Sequence, residues 1–360
     1  MGSSASKMPI PIPSWGLHQT TGVVHLISME IGIDSFVQMG GPELTGAQRV
    51  KNLMEEIKLA DRVGISTYGI GEHHRVEYLA SSPAIFLAAA ASVTQQIRLS
   101  SAVTVLSSDD PVRVFQDFAT IDLISNGRAE IVVGRGSFIE SYPLFGYDTK
   151  HYDELFAEKL DLLLKLRDET LVTWQGKHRS SLNGQGVWPR PVQKQLPVRL
   201  GVGGTPASFA RAGLLGLPLT VAIIGGEPHR FRPMIDLYRQ AWERAGHDPA
   251  KADVSVHALG FLADTDQQAA DIFWPSHKET FGRIGRERGW APITRESFDA
   301  QLAPTAAYLI GSPETVATKL RYYDEVLGGL SQVALHMSGG GVAHADQMRS
   351  IELLGTLVRN

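Results

Sequence analysis

Cysteine is absent from this 360-residue chain. That excludes disulfides, thiolate metal ligands and a cysteine nucleophile, and it suits a reducing cytoplasm, the compartment expected here. No apolar run approaches the roughly 18 residues of a membrane span, so no membrane association is expected. A large excess of either charge is lacking: 34 basic and 38 acidic side chains leave a net charge of −4, which argues against nucleic acid as a partner. A dinucleotide fingerprint is missing too, because the nearest cluster, Gly201-Val-Gly-Gly-Thr-Pro206, carries Pro206 where a third glycine should fall. Residues 1–28 lack the cationic start and longer apolar stretch of a signal peptide. With Pro9, Pro11 and Pro13 they are expected to form a loosely packed N-terminal arm, or an extension before a start at Met29, with no catalytic role.

What is present is a long alternation of strand-like and helix-like segments from Met29 onward. Short apolar runs at Met29–Phe36, Thr67–Gly71, Ile97–Leu106, Arg128–Gly134, Val198–Val202, Leu217–Ile224, Val254–Leu262 and Gln332–Met337 read as strands. Between them lie helical patterns with clear openings: Thr45 with Gln48 at the capping-box position, and the pairs Ser82-Pro83, Asp110-Pro111 and Thr205-Pro206. Two stretches break the rhythm. Residues Asp168–Leu196 are expected to be irregular, and Thr265–Ser312 form a large insertion. Strand followed by helix, eight times, is the count of a closed parallel barrel. The expected fold class is therefore α/β, a (β/α)8 TIM barrel with insertions after strands 4 and 7, in one domain over 29–360.

Such a barrel places its chemistry at the carboxyl ends of the strands. There the second strand releases Glu72-His73-His74, which admits three readings. Metal ligation needs three or four convergent ligands, whereas adjacent residues on an extended segment point apart. A hydrogen-bonded pair tying down a loop is the structural reading. The third is a site histidine acting as base or hydrogen-bond donor, a role suited to an imidazole near neutral pH. The fourth strand releases Gly134-Arg135-Gly136-Ser137, a cation beside close-approach backbone, which could equally be a structural salt bridge. After the fifth strand, Gly203-Gly204-Thr205-Pro206 joins free N–H groups to a helix start, a natural phosphate site. Phe138, Tyr142, Phe145, Trp174, Trp188, Trp274 and Trp290 cluster near these loops, some as core and some as walls of a dry pocket.

Together these stretches resemble the bacterial-luciferase-like flavin-dependent monooxygenases over nearly the whole chain from Met29. The most specific parts are Glu72-His-His, Leu99-Ser-Ser-Ala-Val-Thr104, Asp110-Pro-Val-Arg113, Leu123-Ile-Ser-Asn-Gly-Arg128, Gly134-Arg-Gly-Ser137 and Phe145-Gly-Tyr-Asp148. The resemblance implies a barrel binding FMN at the strand ends. By position, it makes His73 the catalytic histidine near the flavin's reactive edge. Ala102 and Val103 match the pair whose peptide lies behind the ring, often in cis form. Arg135, with Gly136 and Ser137, would contact the flavin or its phosphate, and Gly203, Gly204, Thr205 and Ser208 would hold the phosphate. His74, Phe138 and Tyr142 are expected to wall the substrate pocket, and no metal is expected. The implied activity is oxygenation of a small organic substrate by reduced FMN and dioxygen. With no second nucleotide fold expected, a separate flavin reductase would supply the reduced cofactor. The Thr265–Ser312 insertion would be a mobile lid, and the family pattern implies a homodimer. A deazaflavin-dependent hydride transfer, a non-catalytic flavin-binding role and, more remotely, a metal-dependent hydrolase remain alternatives. The substrate is not legible.

Overall fold

A computed structural model of the protein describes residues 29–41, 43–337 and 340–358. The expected arm over 1–28 lies outside the described residues. Eight strands form the barrel: β1 (Glu30–Ser35), β2 (Thr67–Ile70), β3 (Arg98–Ser101), β4 (Ala129–Gly134), β5 (Val198–Val202), β6 (Leu219–Ile223), β7 (Val254–Leu262) and β8 (Gln332–His336). Each pairs in parallel with the next, and β8 returns to β1 in the register Asp34↔His336, so the cylinder is closed. Outside it run α1 (Gly46–Val63), α2 (Pro83–Ala91), α3 (Pro111–Ser125), α4 (Tyr152–Asp168), α5 (Pro206–Leu214), α6 (Arg232–Arg244), α7 (Asp266–Arg288), α8 (Pro313–Leu327) and α9 (His344–Val358). Among the described residues no helix is long and apolar enough to cross a membrane.

The core follows from this layering. Outward-facing strand residues such as Ile31, Leu99, Ile131, Val133 and Leu335 are fully buried against the helices. Local signals set the helix starts. The Thr45 hydroxyl accepts the Gln48 N–H at 3.2 Å, but the Gln48 side chain turns to Asn52 at 2.8 Å, so only half of the expected capping box forms. Asp110 accepts the Val112 N–H at 2.8 Å, with Pro111 in the first turn of α3.

Two expectations need correction. The stretch Asp168–Leu196 is not wholly irregular: Leu171–Trp174 and Leu182–Gly186 form an antiparallel hairpin. Val172 is the one fully buried residue of the first strand and the second is largely exposed, so no alternating pattern advertises it. The run Ile97–Leu106 is not one strand either. It breaks at Ala102-Val103, whose peptide is cis, and resumes as Thr104–Val105 beside β4.

Space at the barrel mouth is set by small residues. A Cβ at Gly69 would lie 2.9 Å from that of Ala102 and 3.2 Å from that of Asp34, and one at Gly134 would lie 2.7 Å from a Val103 methyl. Glycine therefore lets the Asp34 carboxylate and the Ala102-Val103 segment share the mouth. Gly69→Ala should destabilise the fold by about 1–3 kcal/mol through overpacking, read as a lower denaturation midpoint; an unchanged midpoint would show that these neighbours yield freely.

Candidate active site

One cavity of about 510 Å³ opens at the carboxyl ends of the strands, between the barrel mouth and α7. His73, Ala102, Val103, Arg135, Gly136, Ser137, Phe138, Gly203, Gly204 and Thr205 all line it. The structure thus gathers in one place residues from loops that are far apart in the chain.

His73 is held by its loop. Its N–H donates to the Ala80 carbonyl at 2.9 Å, and the loop is tied to the segment after β1 by Met39 N–H to Glu77 O (2.8 Å) and Leu79 N–H to Val37 O (3.1 Å). Val37 turns the chain there with φ of 50°, an uncommon conformation for a β-branched residue. The turn leaves Phe36 edge-on to the His73 ring at 4.4 Å, with Tyr78 at 4.5 Å and Phe138 at 5.1 Å. No hydrogen bond to the His73 ring is made within the described residues. Burial, reinforced by the positive sides of His336, Arg75 and His74, pushes its pKa down to about 3. The imidazole is therefore neutral at ordinary pH.

At the other end of the cavity α5 begins without a side-chain cap, and the N–H groups of Gly204 and Thr205 find no acceptor within the described residues. A Cβ at Gly203 or Gly204 would project into open space. Arg135 stands beside this helix start, donating to Ser208 Oγ at 3.1 Å and to Asp153 Oδ1 at 2.5 Å. Orphan donors, a helix dipole and a guanidinium together suit a phosphate. Ser208 lies outside the cavity lining and acts through Arg135.

Two expected pocket residues are elsewhere. His74 sits 2.8 Å from Glu72 Oε1, and Glu72 Oε2 accepts the Val105 N–H at 2.8 Å. This is the loop-tying half of the doublet, fastening the β2 loop to the segment after the cis peptide. Tyr142 is fully buried and stacks on Tyr152 at 5.5 Å, its hydroxyl 3.4 Å from the Arg135 carbonyl, so it backs the arginine instead of facing substrate. Of the other aromatics, Phe138 and Trp290 line the cavity, whereas Trp188 is exposed and Trp274 packs on Phe298.

The insertion supplies a roof. Phe273, His277, Phe281 and Ile284 of α7 line the cavity, and α7 is fastened to the β2 loop by Arg75 with Glu287 and by Arg283 with Glu77 at 2.6 Å. Arg75 also reaches Glu140 at 2.8 Å.

A further group went unread in the sequence. Asp34 Oδ2 lies 2.7 Å from His257 Nδ1, and Asp34 Oδ1 pairs with His336 Nδ1; all three line the cavity floor. Burial alone would push the Asp34 carboxyl up, but His336 and His257 outweigh it and hold the group well below the usual carboxylate range. The available signal was a polar residue interrupting an apolar strand, near the ends of β1 and β8 and midway along β7.

As for metals, Glu72, His73 and His74 do not converge. Among the described residues, His151, Glu154 and His178 on the outer surface bring ligand atoms within 4.8 Å of one another, but Lys177 Nζ sits 2.6 Å from the same Glu154 oxygen and supplies the counter-charge.

The depressed His73 value has a consequence for stability. An unfolded histidine takes up a proton below 6.5, while folded His73 stays neutral down to about 3, so protons favour the unfolded chain across that window. Stability is lost there as pH falls, by up to about 1.4 kcal/mol per pH unit from this one ring. Denaturation curves of His73→Gln should therefore be less pH-dependent than wild type over that interval; parallel curves would mean that the native ring takes up the proton.

With this geometry in hand, comparison with known proteins is informative. A profile described as luciferase-like monooxygenase matches residues 29–328. The uncharacterised y4vJ of Sinorhizobium fredii is 31% identical over 170 residues, 47% of this chain and 48% of that protein, so the chain spans about half the length of that relative. The 4-hydroxyprotoasukamycin monooxygenase of Streptomyces nodosus subsp. asukaensis is 27% identical over 328 residues, covering 85% of this chain and 86% of that one. Among solved structures, the monooxygenase RslO1 of Streptomyces bottropensis superposes with a TM-score of 0.79 at 24% identity, covering 92% of this chain and 98% of that one. The oxygenating constituent of 3,6-diketocamphane monooxygenase of Pseudomonas putida, in complex with FMN, gives 0.74 at 20% identity over 92% and 97%. An F420-dependent secondary alcohol dehydrogenase gives 0.73 at 17% over 92% and 100%. At these identities the structural likenesses establish the fold alone. The profile match, over most of the chain, establishes the family: this protein belongs to the luciferase-like monooxygenases.

Proposed function

We propose that the protein is a flavin-dependent monooxygenase in which reduced FMN and dioxygen oxygenate a small organic substrate, the reduced flavin arriving from a separate reductase. The observation that carries this reading is one cavity with an anion cradle at one end and a buried, neutral imidazole at the other. When bound, the reduced flavin supplies the electrons that activate dioxygen.

The chain's own residues do the rest. Gly204 and Thr205 N–H groups and the α5 dipole would bind the phosphate, with Arg135 as counter-charge and Ser208 and Asp153 fixing its direction. The Ala102-Val103 backbone and Gly134 would support a flat ring, since a side chain at 134 would collide with Val103. Neutral His73, wedged among Phe36, Tyr78 and Phe138, would hold a hydrogen bond at the reacting edge without adding charge to an apolar space. Phe281, Trp290 and the rest of the α7 roof would exclude water.

Titrating the protein with FMN, reduced FMN and F420 tests the reading. Preferential binding of reduced FMN is expected; binding of F420 alone would favour hydride transfer, and binding of none would remove both. Arg135→Ala should weaken flavin binding roughly 10- to 100-fold, the range of a charge-assisted contact; unchanged affinity would contradict its role. His73→Ala should slow reductase-coupled product formation by about 10²- to 10⁴-fold while leaving flavin affinity nearly intact. Equal loss of both would make the ring structural.

A further inference from the structure

The monooxygenase reading leaves the Asp34, His257 and His336 trio without a task. Asp34 is 2% exposed, and both of its oxygens face ring nitrogens, His257 Nδ1 at 2.7 Å and His336 Nδ1 on the other side. A nitrogen facing an ionised carboxylate is the protonated one, so in its neutral form His257 carries its hydrogen on Nδ1 and its lone pair on Nε2. The His257 ring makes no other hydrogen bond within the described residues and lines the cavity. Space for the carboxylate is built in by Gly69, where any side chain would press on the Asp34 Cβ. Beneath the trio, Glu130 and Arg199 share with His257 a small void of about 10 Å³, and Arg199 is engaged by Asp253 at 2.7 Å; Glu72, Arg135 and Arg288 line the same cavity as the trio.

We infer that His257, oriented by Asp34, is a proton acceptor for the substrate, and that the cavity takes a compound with an acidic hydroxyl on a flat unsaturated frame, a hydroxyarene or an enol. The inference deepens the monooxygenase reading and rests on it for the oxygenation that comes after ionisation. In the step itself the substrate O–H bond breaks, its electron pair stays on oxygen, and an N–H bond forms at His257 Nε2. The proton moves between two neutral partners, so the step creates one positive and one negative charge together. Afterwards an imidazolium and the substrate oxyanion have been added, so the total is unchanged. The oxyanion enriches its ring in electrons, as an electrophilic oxygen donor requires.

The alternatives within the same cavity are weaker. His73 makes no hydrogen bond to a carboxylate within the described residues, and burial with His336, Arg75 and His74 outweighs Glu77 in opposing a positive ring. An aliphatic alcohol is too weak an acid to protonate imidazole. A carboxylic acid arrives already ionised, with no proton to give, and meets the Asp34 charge. The flat frame follows from the walls, since Phe138, Phe273, Phe281 and Trp290 surround the space above the trio.

4-Nitrophenol is a direct probe, because its phenolate absorbs in the visible and its phenol does not. With the full chain buffered below the dye's own pKa, wild type should bind one dye and show the phenolate band. His257→Gln and Asp34→Asn should each reduce the bound phenolate fraction about tenfold or more, the effect of at least one pKa unit, while His73→Gln keeps the band. 4-Nitroanisole, which has no proton to give, should show no such band. Dye bound by wild type as neutral phenol, no dye binding, a band surviving in His257→Gln, or a band lost in His73→Gln would each overturn the inference. Should Asp34→Asn fail to fold, as circular dichroism would report, His257→Gln decides alone. FMN affinity is measured alongside: wild type without FMN binding removes the monooxygenase reading whatever the dye does, whereas FMN binding without a phenolate band removes only this inference.

Discussion

The contact between Asp34 and His336 spans the seam where the first and last strands meet, and the site depends on that seam. Closing an eight-stranded parallel cylinder in this register sets a carboxylate inside the mouth, opposite an imidazole from the far end of the chain. A buried carboxylate without partners would be expelled or neutralised. Here His336 and His257 compensate it from neighbouring strands, and Gly69 on the other side leaves the room. Below, the interior stays polar in paired form: Arg199 with Asp253, Gln332 with Thr67, Thr220 with Ser255. The floor of the cavity is thereby a fixed electrostatic surface.

Above that floor the cavity has three regions of different character. The α5 start and Arg135 form a cationic corner. His73 lies in an aromatic nest where a proton is unwelcome. The trio sets a buried carboxylate between two imidazoles. Such separation is what the proposed phosphate binding, water exclusion and proton acceptance would each require. The α7 roof completes the enclosure, and its attachment through Arg75 and Arg283 is made of partly exposed ion pairs, individually weak and sensitive to salt.

The luciferase-like monooxygenase profile spans residues 29–328, which carry all but the last strand of the cylinder. Glu72 and His74 turn the second half of the doublet into a fastener, so one dipeptide supplies a site imidazole and a structural one. Tyr142, stacked on Tyr152, braces Arg135 from behind.

Much of the architecture was legible because short-range physics writes it plainly. Apolar runs of strand length located all eight staves, β5 and β7 to the residue, and Thr45, Asp110 and the Xaa-Pro pairs marked helix starts because caps and first-turn prolines act within a few residues. The hairpin of Leu171–Trp174 and Leu182–Gly186 was hidden because it buries little, and the break at Ala102-Val103 was legible through the resemblance alone, because the run carries no glycine or proline to mark a turn. Positions of His73, Phe138, Arg135 and Gly203 at strand ends could be read, since strand ends face one side of a barrel. Which way a side chain turns at such an end could not, and that is why His74 and Tyr142 were assigned to a wall they do not form. The sequence by itself determined the repeating strand-helix order, the closed cylinder and the set of loops around its mouth, all consequences of local pattern and chain length. Only the tertiary structure decided that Asp34, His257 and His336 meet, because their contact depends on closure and register between strands hundreds of residues apart.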